Sequence, residues 1–266
     1  VGICVMFYLT VLYIEFIPIV CERFRGKVQL PGKLGRFNDR VDFLLRLLDQ
    51  VLGKVMFVFI LAGITLSCLH QSSLGTLMVI APYKMHPLYS SRLGPAFFLT
   101  SAFAVGLTMV IVESLLVSRT FKRKPEMDLL TSLARIVPFL LGLYIALKLG
   151  DMLVRGTHVF LFDGTPASIM FWIEFGAFTV VPFFMFMSAD ICRSPRGLFI
   201  AAAMYVAGIL LNRCTVFFIA YEPAYARQAY RPALSEFALT IGLICAIAFV
   251  YRLAVTFLPI LPSHET

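Results

Sequence analysis

The sequence predicts an all-α polytopic membrane protein, a bundle of about seven transmembrane helices. Hydrophobic residues make up 60% of the 266 and charged residues 14%, with a mean hydropathy of +0.88. A soluble domain carries about 25% charged residues. The apolar excess is gathered into runs of about twenty, the length of a helix that crosses a bilayer core. Basic residues also concentrate in every second connection between these runs, the bias that marks cytoplasmic loops.

The net charge of +8 therefore reads as topology. No basic stretch interleaves with exposed aromatics in a polar segment, which excludes nucleic acid as a partner. Six cysteines, Cys4, Cys21, Cys68, Cys192, Cys214 and Cys245, are scattered without a CxxC pair. That excludes a four-cysteine zinc or iron–sulfur site made by this chain alone and leaves them as small apolar fillers.

The whole of 1–266 reads as a single integral membrane domain. The first run spans 1–21 with no basic leader region or cleavage site, so the chain is expected to open inside a helix, as the C-terminal part of a longer subunit. Residues 22–53 read as a basic cytoplasmic loop. Leu30-Pro31-Gly32 breaks any helix there. Within 37–52, Phe37, Val41, Leu44, Leu45 and Leu48 recur at helical intervals among arginines, the pattern of an amphipathic helix at the interface.

The second run starts near Lys54, is interrupted by His70-Gln71-Ser72-Ser73 and resumes at 74–81 before Pro82. Five further runs lie at about 95–117, 133–149, 167–187, 197–212 and 235–258. Arg119, Lys122, Arg123, Lys124 and Arg135 follow the third run, and Arg193 and Arg196 follow the fifth. These loops share a side with 22–53, which places them and the C-terminus in the cytoplasm. Gly142, Ala146 and Gly150 form a small-residue stripe that permits close helix approach.

Ionisable groups inside hydrocarbon are costly and invite functional readings. Glu15, Glu113 and Glu174 are such groups. Glu15 precedes Pro18 and either relays protons or pairs with a basic residue of the next loop. Glu113 has Arg119 and Lys122 near it in sequence, which suits a surface ion pair as well as a relay. Glu174 lies among aromatics and suits a proton or ligand role, with Asn212 and Arg213 as alternative partners. Lys148, Asp151 and Arg155, spaced by three and four residues, read as an ion-pair set on a helix face. His70-Gln71-Ser72-Ser73 places four hydrogen-bonding side chains in a row where lipid offers no partner, so they should face protein, water or a ligand. Haem b would need axial histidines on facing helices. Only His70 of His70, His86, His158 and His264 lies clearly within a run, so no haem is expected. No hydrolase motif occurs and no catalytic residue or metal ligand is assigned.

The segment from His70-Gln71-Ser72-Ser73-Leu74-Gly75 to Tyr83-Lys84-Met85-His86-Pro87-Leu88 resembles the polysulfide-reductase NrfD-like family of membrane subunits. It is most similar to the membrane subunit of hydrogenase-2-type periplasmic nickel–iron hydrogenases. Glu15-Phe16-Ile17-Pro18, Met170-Phe171-Trp172-Ile173-Glu174 and Leu258-Pro259-Ile260-Leu261-Pro262 agree with it. The resemblance implies about ten helices in all, arranged as two four-helix bundles. It also implies a quinone-interacting subunit that passes electrons between an extracytoplasmic ferredoxin-like iron–sulfur subunit, with its catalytic subunit, and the quinone pool. The quinone, menaquinone or ubiquinone, would meet His70, Gln71, Ser72 and Ser73, and Glu15, Glu113 and Glu174 would form a proton path. No haem or iron–sulfur cluster of its own is expected. Relatives in sulfite-reduction-linked and polysulfide reductase complexes share the fold. From the residues alone, a proton-coupled transporter and a plain membrane anchor remain rival readings.

Overall fold

The computed structural model describes residues 2–24, 38–80, 82–122, 124–221 and 233–257. Ten α-helices are seen among them, and seven helical stretches are long and apolar enough to cross a membrane. The chain divides into two compact units, 1–67 with 231–266, and 68–230.

The first unit holds α1 (Gly2–Phe24), the first part of α2 (Asn38–Ile80) and α10 (Leu234–Phe257). Pro18 is accommodated inside α1 without ending it. The Cys4 thiol donates to the Leu66 carbonyl at 3.2 Å. Gly63 leaves room for the Glu15 carboxyl, whose Oε1 would lie 3.1 Å from a Cβ added there. Large apolar side chains such as Leu239 and Ile247 on α10 point outward. Hydrocarbon asks for such a surface, because lipid exerts no hydrophobic penalty on it.

The second unit contains the end of α2 and four spans that pack as a ring. These are α3 (Gly94–Thr120), α5 (Val137–Arg155, entered through the short α4, Met127–Ala134), the composite span Pro166–Met187, and α9 (Pro195–Cys214). The composite span is α6 (Pro166–Phe171), a π-helical segment Trp172–Val180 and α7 (Val181–Met187). The five-residue α8 (Ala189–Arg193) links it to α9, which continues as a second π-helical turn, Thr215–Ile219. α3 packs on α5 and α9, and α7 packs on the same two.

Local chemistry sets the helix starts. Pro95, Pro138, Pro166 and Pro195 stand in first turns, where a missing N–H costs nothing. The Thr165 and Ser194 hydroxyls accept from Ser168 N–H and Gly197 N–H, the N-cap bond that satisfies an orphan donor. Gly156 ends α5 with φ +68°, a left-handed conformation that glycine adopts without strain.

The backbone corrects three expectations. α2 runs unbroken from Asn38 to Ile80. His70-Gln71-Ser72-Ser73 therefore does not interrupt the helix, since hydroxyls such as those of Ser73 and Thr76 bond back to carbonyls of the same helix. Of the expected interfacial helix at 37–52, Phe37 lies outside the described residues and the rest runs straight into the span. Leu30-Pro31-Gly32 and Leu258 to Pro262 also lie outside them. The Gly142 stripe is not an interface: Gly142 meets the Phe183 ring, but Ala146 and Gly150 are exposed and nothing approaches Gly150. Close approach occurs instead at Gly208, where an added Cβ would sit 2.5 Å from Phe178 Cβ, and where Gly75 meets the Gly94 backbone.

Gly208→Ala is expected to lower the unfolding midpoint of the detergent-solubilised protein by the equivalent of about 1–3 kcal/mol, because the rigid Phe178 backbone cannot yield. Gly150→Ala, in open space, is expected to leave the midpoint unchanged or raise it. Equal midpoints for the two variants would remove the close contact from the packing argument.

Candidate functional site

The four ring spans bring polar side chains to one depth. Ser101 lies seven residues from the start of its span, Lys148 seven from the end of its own, Glu174 eight from a start and Asn212 seven from an end. At 1.5 Å per residue they all lie about 10–12 Å below the same rim of the ring. Lys148 and Glu174 are only 6% and 3% exposed.

Their contacts form a thread across the ring. Asn212 Nδ2 donates to Glu174 Oε1 at 2.9 Å. Arg213, next along α9, donates to Asn212 Oδ1 at 3.4 Å and to Ser101 Oγ at 3.0 Å. Its guanidinium stacks 3.5 Å from the Phe98 ring centre. The Lys148 ammonium stands 5.0 Å from the Phe97 ring centre, 5.6 Å from Tyr89 and 5.7 Å from Phe171. Such faces attract a desolvated cation. Among the described residues Lys148 and Glu174 form no ion pair within 4 Å, yet they line one small cavity with Tyr144 and Asn212. A second cavity touches Lys148, Asn212, Arg213 and Met78 of α2. Their volumes, about 10 and 20 Å³, are near the room one water needs.

Glu174 Oε2 is buried and makes no hydrogen bond of ordinary length among the described residues. The Tyr89 and Thr215 hydroxyls lie around the carboxyl. Both π-helical segments border this group. Thr179 Oγ1 donates to the Glu174 carbonyl at 3.0 Å, five residues back, and Ala220 N–H donates to the Thr215 carbonyl at 2.8 Å with the same spacing. A π turn inserts a residue into a helix and is frequent at functional sites. Here the insertions sit where Glu174, Asn212 and Arg213 must face inward.

The segment 82–93 closes the rim. His86 N–H donates to the Ala220 carbonyl at 2.8 Å. Arg155, paired with Asp151 at 3.0 Å, donates to the Ser90 carbonyl and, at 3.1 Å, to that of Pro87. Leu88 and Tyr89 are buried by this closure, and the Tyr89 hydroxyl donates to the Ala167 carbonyl at 3.4 Å. Burial first, and then the Glu174 charge, push the Tyr89 phenol above its usual range, so it remains a neutral donor.

The residues singled out in the sequence are not one cluster. Glu174 is at the centre, with Asn212 as its partner. Arg213 was named with Asn212 beside Glu174, whereas Lys148 was missed as a member, being read as part of a helix-face ion-pair set; the fourth and sixth runs were ended at 149 and 212, six or seven residues early. Arg155 and Asp151 do pair, as the spacing implied. Glu113 is exposed on α3. Glu15 is half-buried beside Gly63 in the other unit. His70, Gln71, Ser72 and Ser73 are half-buried on α2, eight residues before Met78 at the second cavity. His70 Nδ1 is buried without a hydrogen bond among the described residues, and Ser73 Oγ donates to the His70 carbonyl at 2.8 Å.

The family profile described as polysulphide reductase, NrfD, matches residues 2–224. The chain belongs to the NrfD family. This NrfD-family chain is 32% identical over 264 residues to a protein of Escherichia coli (strain K12) named "Probable Ni/Fe-hydrogenase 2 b-type cytochrome subunit", covering 98% of this chain and 62% of that protein. It is 30% identical over 273 residues to a protein of Nitratidesulfovibrio vulgaris, covering 99% of this chain and 65% of that one. It thus spans less than two thirds of either relative. No solved structure matches. The name of the Escherichia coli relative implies haem, which overturns the expectation that no haem is bound.

Asn212→Leu strands the buried Glu174 carboxyl and is expected to destabilise the protein by about 1–3 kcal/mol. Glu174→Leu with Asn212→Leu removes both partners and is expected to recover most of that loss. Thermal unfolding of the two variants checks the pair; a double variant no more stable than the single one would show that the bond does not hold the site.

Proposed function

We propose that this NrfD-family chain is part of a quinone-interacting membrane subunit of a respiratory oxidoreductase complex in the inner membrane, with its C-terminus cytoplasmic. It passes electrons between an extracytoplasmic ferredoxin-like iron–sulfur subunit, joined to a hydrogenase-type catalytic subunit, and the quinone pool. The observation that carries this reading is the buried Lys148–Glu174–Asn212 group in a chain of this family. A quinone takes up protons with electrons. A carboxyl and an ammonium that share a water-sized cavity inside a membrane are suited to hand protons on.

His70 is the group placed against the quinone. Its ring nitrogens can donate or accept hydrogen bonds, and Gln71, Ser72 and Ser73 shape the same stretch of α2. Glu174 and Lys148 hold and pass protons at the ring interior, and Tyr89 keeps the rim side dry. Glu15 is a proton-path residue of the other unit, and Glu113 serves at the surface.

A haem b would be held by histidine imidazoles. Where one is bound, His70 would hold it in place of its role at the quinone, since it lies in a span and its Nδ1 is free of hydrogen bonds among the described residues. His86 instead accepts from Leu88 N–H at Nδ1, and His158 is exposed outside the spans. A bound haem supplies one-electron exchange.

A second reading gives the same subunit to a polysulfide- or sulfite-linked enzyme, which the family description, polysulphide reductase, favours. The identity of the copurifying subunits decides between them.

His70→Ala in the full complex is expected to lower quinone-dependent turnover about a hundredfold, the scale of a lost proton-transfer group. Unchanged turnover with the native donor would exclude His70, and an absorption spectrum of the same variant shows whether a haem leaves with it. In proteoliposomes, Glu174→Gln is expected to preserve turnover and lower the protons moved per electron. An unaltered ratio would take the buried group out of the path.

A further inference from the structure

At the opposite end of the ring from the polar group lies a cavity of about 630 Å³ between the end of α3 and the start of α9. Its floor is apolar, formed by Leu115, Leu116, Phe199 and Ile200, and its rim carries Ser118, Arg119 and Arg196. Arg119 is one residue from the end of its span and Arg196 one from the start of its own. The rim therefore stands where a bilayer turns from hydrocarbon to headgroups, with the floor on the hydrocarbon side. Both arginines are exposed, and neither has an ion-pair partner among the described residues.

The backbone adds the same sign. α9 opens at this rim with Pro195 in its first turn, and the first turn of a helix carries positive charge. Within 118–128 and 188–197, six basic residues face three acidic ones, Glu126, Asp128 and Asp190. A cavity with two unpaired guanidinium groups above an apolar floor, at headgroup level, matches one chemistry: a phosphate ester attached to acyl chains. Planar guanidinium groups bind phosphate oxygens in pairs, and basic pockets between transmembrane helices bind anionic lipid headgroups.

We propose that this cavity is a binding site for an anionic phospholipid. Arg119 and Arg196 hold its phosphate, Ser118 donates to it, and an acyl chain lies along Leu116, Phe199 and Ile200. The site is separate from the buried polar group and does not depend on the quinone reading.

The test uses the full-length membrane protein, delipidated in neutral detergent, with native mass spectrometry of added dioleoyl phosphatidylglycerol or dioleoyl phosphatidylcholine. The wild type is expected to retain phosphatidylglycerol at collision energies that strip phosphatidylcholine. Arg119→Gln with Arg196→Gln is expected to weaken phosphatidylglycerol binding about thirtyfold, the factor two arginines at a membrane surface contribute. Ile200→Trp fills the floor, leaves both arginines in place and is expected to weaken it too, so the proposal stays testable if the double variant does not fold. Equal retention of both lipids, or wild-type binding by both variants, would overturn the site. Displacement of the lipid by millimolar inorganic phosphate would overturn it as well, by showing a plain anion site.

Discussion

A carboxyl and two cations sit inside a ring of helices whose outer surface is hydrocarbon, and the second unit is arranged around that constraint. Charge taken out of water must be met by dipoles, opposite charge or aromatic faces. Each of the four spans contributes one of these at a common depth: Ser101 from α3, Lys148 from α5, Glu174 from the composite span, Asn212 and Arg213 from α9. The π-helical segments lie beside this group, Trp172–Val180 carrying Glu174 and Thr215–Ile219 following directly on the turn that holds Asn212 and Arg213. Gly208 is close by too. Only a residue without a side chain lets α9 come against Phe178 about one turn from the Asn212–Glu174 bond.

Outside this group the packing is simple. Ala104, Ile111, Leu141, Leu198 and Ala201 fill the ring interior towards the opposite end, with Tyr205 among them. This half of the ring is mostly apolar, and its buried Thr108 bonds its hydroxyl back to the Ala104 and Val105 carbonyls. The polar half is closed above by aromatics, Tyr89 against Phe171 and Phe171 stacked on Phe175 at 5.2 Å.

The architecture was legible because a helix in lipid must satisfy its backbone alone and must be about twenty residues long. Seven apolar runs in the sequence are seven spans in the structure. The site was legible only in part. Glu174 stood out as a charge among aromatics, and Asn212 and Arg213 were named beside it. Lys148 lay inside its run but did not stand out, because its three- and four-residue spacing to Asp151 and Arg155 is also that of an ordinary ion-pair set on a helix face. The helices in fact continue to Arg155 and Ile219. A charge near the end of an apolar run is ambiguous by one to two turns, and here Arg213 stood just past the end assigned to its run. The His70 segment misled in the opposite direction. Four polar residues looked like a break, but serine and threonine hydroxyls satisfy themselves on the preceding turn and leave the helix whole.

The segment 82–93 has a mechanical side. It is fastened at His86 to the end of α9 and at Pro87 and Ser90 to Arg155 on α5, and between these fastenings Tyr89 reaches down as one wall of the box around Lys148. A load on the rim cannot be absorbed by the loop alone, since three anchors leave it little slack. The Tyr89 ring thus ties the rim by direct contact to a charge about 10 Å below it, and its place over the Lys148 ammonium is set by where the loop is fastened.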